Sequence, residues 1–261
     1  MSDVLLAAND VSVDYGGATV IRGLSLDVHR GEFVVVVGPN GCGKSTLLKT
    51  FARVNRPAAG HVELDGHRMA RMRGRAIARR VSLLPQSAVA PEGITVGELV
   101  ARGRHPHHTI LRQWSPDDDL AIESALERTR LTELVRTPVA SLSGGQRQRA
   151  WVAMVLAQDT EVILLDEPTT FLDIAHQYDL LELVSDLNAE GRTVVAVLHD
   201  LNQAARFASR LVVMRDGEIC GDGPPRDVLT GDLVERVFGL GVEVIDDPQA
   251  GTPMVVPHVR S

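Results

Sequence analysis

Two stretches near the start of the chain, Leu5 to Asp14 and Val20 to His29, alternate apolar and polar residues on either side of Gly16-Gly17, which predicts two antiparallel strands joined by a glycine turn. The next apolar run, Phe33 to Val37, is short and β-branched; it leads through a glycine-rich segment into Leu47 to Arg53, a strand–loop–helix succession. Gly60 to Leu64 reads as a strand closed by the turn Asp65-Gly66, and Val81 to Leu84 as a short buried strand that ends at Pro85-Gln86. From about Pro91 to Gln158 the pattern becomes helical. Ser115-Pro116 followed by Asp117, Asp118 and Asp119 supplies an N-cap, a proline at the first helical position and acids in the first turn, and another helix starts near Gly144. The α/β alternation then returns: the apolar run Val162 to Leu165 ends in Asp166-Glu167, Leu180, Leu183, Val184 and Leu187 mark one face of a helix stopped near Gly191, and the apolar run Thr193 to Leu198 ends at His199.

Length and composition bound this picture. The 261 residues suit one large domain or two small ones, and 44% hydrophobic with 23% charged residues supplies material for a core. A formal net charge of −7 argues against a general nucleic-acid-binding surface. The run Arg68, Arg71, Arg73, Arg75, Arg79 and Arg80 could bind RNA or acidic lipid, but no interleaved aromatic offers a base a stacking surface, and a solvated helix face is the commoner meaning of such a run. Cys42 and Cys220 lie far apart and form neither a disulfide framework nor a zinc site, which fits the cytoplasm. The N-terminal residues lack a basic region and a long apolar core, and no run approaches the ~18 apolar residues of a membrane span, so any membrane role is peripheral.

The chemistry begins at GPNGCGKST, that is Gly38, Pro39, Asn40, Gly41, Cys42, Gly43, Lys44, Ser45 and Thr46. A G-x-x-x-x-G-K-[ST] pattern between a strand and a helix is a loop whose backbone N–H groups wrap phosphates at a helix N-terminus, with the lysine reaching the β- and γ-phosphates and the serine able to ligate Mg²⁺. Lys44 and Lys49 are the only lysines, against twenty-five arginines, so lysine is not the surface filler of this chain. Acids and a histidine at the C-terminal ends of parallel strands lie where open α/β sheets bind ligands. In that reading Asp166 holds Mg²⁺ through its water shell, Glu167 polarises an attacking water, and His199 hydrogen-bonds the γ-phosphate. Gln86, with a donor and an acceptor at a strand end, can touch the Mg²⁺ and its water. Tyr15 is either a core-edge residue or a surface on which adenine stacks. For His105, His107 and His108 a solvated loop outweighs a metal site, because Pro106 breaks helical spacing. Cys42 is either activated by the helix N-terminus and Lys44, or a filler beneath the loop, sealed and inert.

LSGGQ at Leu142 to Gln146 resembles the signature of ATP-binding-cassette ATPases. Tyr15, the phosphate loop, Gln86, LSGGQ, VILLDEP, Asp173 and His199 occur in that family's order. The resemblance implies an α/β fold: a P-loop NTPase core of mainly parallel sheet, an N-terminal antiparallel β subdomain and an inserted α-helical subdomain. It implies one such ATPase domain over 1–261, with approximately 1–86 and 159–261 as nucleotide-binding core and 87–158 as the helical subdomain carrying the signature. Ser143, Gly144, Gly145 and Gln146 then form a second anion cradle that grips ATP on a partner chain, two copies closing head to tail around two ATPs with Mg²⁺, and Asp173 joins the nucleotide site.

TVGELVARGRHPH, EPTTFLDIAHQ, VLHDLNQAARFASRLVVMRDGEI and the GTPMVVP tail look like the ATPase subunits of bacterial importers for ferric siderophores, haem and cobalamin, the ferric-siderophore branch above all. That implies integral-membrane permease subunits as partners, a substrate-binding protein indirectly, and a peripheral place on the cytoplasmic face of the inner membrane. Cys42 stands where the family usually has another small residue. A soluble cassette ATPase of DNA repair would carry a long insertion between the phosphate loop and the signature, whereas Gly43 and Ser143 are 100 residues apart; a regulator without hydrolysis would lack Glu167 and His199, which are both present.

Overall fold

The computed structural model describes residues 3–87, 89–108, 114–170 and 172–259. In chain order the strands are β1 (Val4–Tyr15), β2 (Ala18–His29), β3 (Phe33–Val37), β4 (Ala59–Leu64), β5 (His67–Arg68), β6 (Val81–Leu84), β7 (Val162–Asp166), β8 (Thr193–Val197), β9 (Arg210–Arg215), β10 (Glu218–Gly223), β11 (Val242–Asp246) and β12 (Pro253–Pro257). The α-helices are α1 (Lys44–Phe51), α2 (Gly74–Ala78), α3 (Val96–Ala101), α4 (Pro116–Arg128), α5 (Gly144–Ala157), α6 (Ile174–Ala189), α7 (Leu201–Phe207), α8 (Pro225–Val228) and α9 (Gly231–Phe238). The chain divides into two compact units, one made of the residues up to Met72 together with those from Thr193 onward, the other of Arg73 to Arg192.

In the first unit β1 and β2 pair antiparallel from Val4↔His29 to Tyr15↔Ala18, so the turn between them is Gly16-Gly17 alone. Both glycines have positive φ, 56° and 90°, the conformation that a two-residue hairpin turn demands. β4 pairs with the other edge of β1 and β5 follows it, giving the antiparallel order β2-β1-β4-β5. A second group of strands runs β10-β9-β3-β8, with β9, β3 and β8 parallel and β10 antiparallel at the edge. Every residue of β3 and of β8 is buried, which explains why these strands read as unbroken apolar runs while β2 alternates. β11 and β12 form a separate two-stranded antiparallel hairpin.

In the second unit β6 and β7 are parallel, in register from Val81↔Val162 to Leu84↔Leu165. The helical part packs α3, α4 and α5 around Val96, Leu99, Leu126, Leu131, Ala150 and Ala153. Thr95 starts α3 with a reciprocal capping box to Glu98. α4 begins after Ser115-Pro116 as its sequence demands, and its first turn also supplies a buried charge. Asp118 Oδ1 accepts from Arg104 Nε at 2.8 Å, and its Oδ2 accepts from both the backbone N–H and the hydroxyl of Ser115 at 2.9 Å. Arg104 Nη1 donates onward to the Ala157 carbonyl at 2.8 Å, so the pair ties the segment after α3 to the ends of α4 and α5.

Burial pushes the Asp118 carboxyl up, but the hydrogen bonds from Arg104 and Ser115 together outweigh it and hold it below its ordinary value. With a folded value below the unfolded one, the stabilisation is complete above the usual carboxylate range near pH ~4 and is lost as pH falls through the lower folded value. Asp118→Asn leaves Arg104 buried without its counter-charge, a loss of roughly 3–5 kcal/mol. Thermal unfolding at pH 7 should show it as a drop of several degrees in Tm, with a weaker fall in Tm on acidification than in the wild type. An unchanged Tm would exclude a structural role for the pair.

Candidate functional site

The phosphate loop grows from the fully buried end of β3. At Gly38 (φ 154°) a Cβ would stand 2.1 Å from the Met214 carbonyl oxygen and 2.9 Å from Cys42 Sγ, so only glycine fits. The turn between β9 and β10 holds the far side of the loop, where Gly217 N–H donates to the Cys42 carbonyl at 3.1 Å. Lys44 is 4% exposed, and its ammonium donates to the carbonyls of Gly38 at 2.8 Å and Pro39 at 2.9 Å, bracing the loop from within. Asn40 and Gly41 are exposed at the tip, and Ser45 and Thr46 half-buried in the first turn of α1. Gly43, at the N-cap of α1, gives no side-chain cap, and the first turn carries no acid. The N–H groups at that helix start are therefore suited to an external anion, which is what a polyphosphate requires.

The same unit carries Tyr15 and His199. Tyr15 is 47% exposed at the end of β1, its hydroxyl accepting from the Asn55 amide, so the ring is not a core-edge residue. His199 is exposed just beyond β8, and the next residue, Asp200, caps α7 by accepting from the N–H groups of Asn202 at 2.8 Å and Gln203 at 2.9 Å.

In the second unit the register of β6 and β7 brings two strand ends together. Asp166, fully buried, ends β7; Glu167 follows it with a φ of 53°, a left-handed conformation uncommon outside glycine and asparagine. Gln86, two residues beyond β6, donates from Nε2 to Glu167 Oε2 at 2.6 Å. Its amide nitrogen thereby orients the carboxylate, and its carbonyl oxygen is an acceptor. The segment after Glu167 is held from two helices: Gln148 of α5 donates to the Pro168 carbonyl at 2.8 Å and Gln177 of α6 to the Leu172 carbonyl at 3.1 Å. Sequence reasoning missed Gln148 and Gln177, since an amide aimed at a distant carbonyl leaves no local pattern.

Ser143 is the N-cap of α5. Its hydroxyl accepts from Gln146 N–H at 3.2 Å while its own N–H donates to Gln146 Oε1 at 3.0 Å, a reciprocal box that leaves Ser143 and Gly144 exposed. Gly145 is half-buried against Leu172. Asp173 caps α6, accepting from the backbone N–H of His176 at 3.0 Å and from its ring Nδ1 at 2.6 Å; these bonds hold its carboxyl below the ordinary value.

Among the described residues no three His, Cys, Asp or Glu side chains converge to hold a metal by themselves. Magnesium needs no such cluster, since it takes one or two protein oxygens, waters and phosphate oxygens; the second unit carries oxygens of that hard type on Asp166 and Gln86, and the first unit, taken by itself, the Ser45 hydroxyl. His107 is engaged elsewhere, its ring Nε2 against the Gln158 carbonyl at 2.8 Å, and Arg79 holds the same turn through the carbonyls of Pro106 and His107.

Between the two sequence-based readings of Cys42 the structure favours the inert one. The side chain is 5% exposed, and burial raises its thiol pKa more strongly than the nearby Lys44 lowers it. The local sequence displays the lysine and the helix start but not the lid formed by Gly38 and the β9–β10 turn. At pH 8 a maleimide should therefore label Cys42 in a Cys220→Ser protein at least ~10-fold more slowly than it labels the exposed Cys220 in a Cys42→Ser protein. Equal rates would restore the activated thiol.

Residues 21–170 match the family model described as ABC transporter. The chain is 52% identical over 257 residues to the ferric enterobactin transport ATP-binding protein FepC of Escherichia coli (strain K12), covering 98% of this chain and 95% of that one. It is 42% identical over 254 residues to the iron(3+)-hydroxamate import ATP-binding protein FhuC of Bacillus subtilis (strain 168), covering 97% and 94%. Among solved structures, a chain of an ABC transporter in an inward-facing conformation superposes with a TM-score of 0.84 at 28% identity, covering 99% and 98%. With a phosphate loop, a buried Asp-Glu strand end and a signature serine capping its helix, this chain belongs to the ATP-binding subunits of the ABC transporter family.

Proposed function

We propose that this chain is the ATP-hydrolysing subunit of a bacterial importer that energises uptake of a ferric siderophore across the cytoplasmic membrane. The observation that carries this reading is the hydrogen bond from Gln86 to Glu167 at the ends of two parallel strands, in a chain similar over nearly its full length to a ferric enterobactin transport ATPase. Backbone N–H groups from Gly38 to Thr46, with Lys44, hold the β- and γ-phosphates of ATP; the exposed ring of Tyr15 stacks on adenine. Glu167, its carboxylate oriented by Gln86, polarises the attacking water and takes up its proton. His199 hydrogen-bonds the γ-phosphate. Magnesium, when bound by Asp166, Ser45 and Gln86, neutralises charge on the phosphates.

The signature residues Ser143, Gly144, Gly145 and Gln146, with Asp173, serve ATP held by a second copy of the chain, so the working unit is an ATP-dependent homodimer. Among the described residues no helix is long and apolar enough to cross a membrane. On the likeness to import ATP-binding subunits, the chain acts peripherally, at the cytoplasmic face, through permease subunits that receive the siderophore from a binding protein. The segment 87–93 beyond Gln86 accepts a short cytoplasmic helix of the permease.

Glu167→Gln keeps the shape and an acceptor for Gln86 but loses the base, so turnover should fall by roughly 10²- to 10⁴-fold while ATP still binds and a dimer accumulates on size exclusion. Wild-type turnover in that variant would remove Glu167 from the chemistry. Deletion of the gene should abolish growth on one ferric siderophore as sole iron source; intact growth on every siderophore, with haem or cobalamin uptake lost, would reassign the cargo.

A further inference from the structure

The hairpin of β11 and β12 lies beyond the residues matched by the family model, and the chemistry proposed above makes no use of it. It is fastened to α7. Asn202, in the first turn, pairs with both main-chain groups of Val255: its Oδ1 accepts from the Val255 N–H at 2.7 Å, and its Nδ2 donates to the Val255 carbonyl at 3.3 Å. One turn later Arg206 lies 3.7 Å from Asp247, at the end of β11. Residues four apart share one face of a helix, so the hairpin is joined to α7 near both of its ends.

The attachment matters because of what α7 follows. A helix of seven residues is too short to hold its own conformation, so its direction is set by whatever packs on it. On one side that is the core, into which Ala204 and Ala205 are buried; on another it is the hairpin. His199 itself is exposed, and the chain on either side of it is fixed by β8 before and by Asp200, the N-cap of α7, after. A tilt of α7 would move Asp200 and with it the histidine.

We propose that the C-terminal hairpin acts through Asn202, a positioning residue, to hold His199 at the γ-phosphate. The proposal rests on the reading of His199 as a γ-phosphate ligand. A double-mutant cycle on the full chain tests both, with kcat, nucleotide Kd and Tm measured for Asn202→Ala, His199→Ala and the double variant. Asn202→Ala should lower kcat about tenfold with Kd unchanged within about twofold, because misplacing a catalytic group weakens the reaction more than ground-state binding. In the His199→Ala background the same substitution should lower residual turnover by less than about twofold, since coupled residues are not additive. A tenfold loss in both backgrounds, or wild-type kcat in Asn202→Ala while His199→Ala is impaired, overturns the positioning role and leaves the reading of His199 standing. Wild-type turnover in His199→Ala overturns both. If the alanine variant does not fold, Asn202→Asp carries the same cycle: it keeps the acceptor for the Val255 N–H but sets a carboxylate oxygen against the Val255 carbonyl, with an expected loss of at least about threefold that disappears when His199 is absent.

Discussion

The first N–H groups of an α-helix have no partner within the helix, and among the described residues of this protein that constraint is met by a capping side chain or an acid at most long helix starts and left open at one. α5, α6 and α9 accept these donors on Ser143, Asp173 and Thr230, and α4 opens on three aspartates. Among the described helices of eight residues or more, α1 alone has neither a capping side chain nor an acid in its first turn. An uncapped helix start next to a buried lysine is unfavourable until an anion arrives. The loop can wait in that state because it is braced by its own ammonium–carbonyl bonds and by the turn that carries Gly217.

Seating the loop is a long-range matter. Gly38 touches the carbonyl of Met214, a residue brought beside it only because β9 pairs parallel with β3, Val37 opposite Val213. The glycine pattern around Lys44 was legible because its reasons are local: positive φ and room for an anion. So were the hairpin turn at Gly16-Gly17 and the start of α4 at Ser115-Pro116, where turn and cap chemistry act over a few residues. The sequence leaves Cys42 open between an activated and a sealed thiol, because the β9–β10 turn that packs on its loop, at Gly217, lies far away in sequence. Arg104 and Asp118 escaped for the same reason. Each looked like an ordinary surface charge until the packing of α3, α4 and α5 removed both from water.

The strand-end residues fall between these cases. Periodicity placed Gln86 after one apolar run and Glu167 after another, but not the parallel register that sets Leu84 beside Leu165 and so lets the two side chains meet at 2.6 Å. That contact gives Gln86 a second meaning. A left-handed Glu167 is held in a conformation that its backbone alone disfavours, by Gln86 on its carboxylate and by Gln148 on the carbonyl of the next residue. One of these holders stands at the start of the loop proposed to take the permease helix, and the other stands in the signature helix. A shift of the first lengthens a hydrogen bond to the Glu167 carboxylate and a shift of the second one to the Pro168 backbone beside it; if Glu167 is the proposed base, proton transfer falls steeply with such displacement. On the proposed reading, in which the segment after Gln86 meets the permease and the signature helix meets the second copy, these two holders tie the rate of hydrolysis to both partners, the dependence that a transport ATPase needs and a free-standing hydrolase does not.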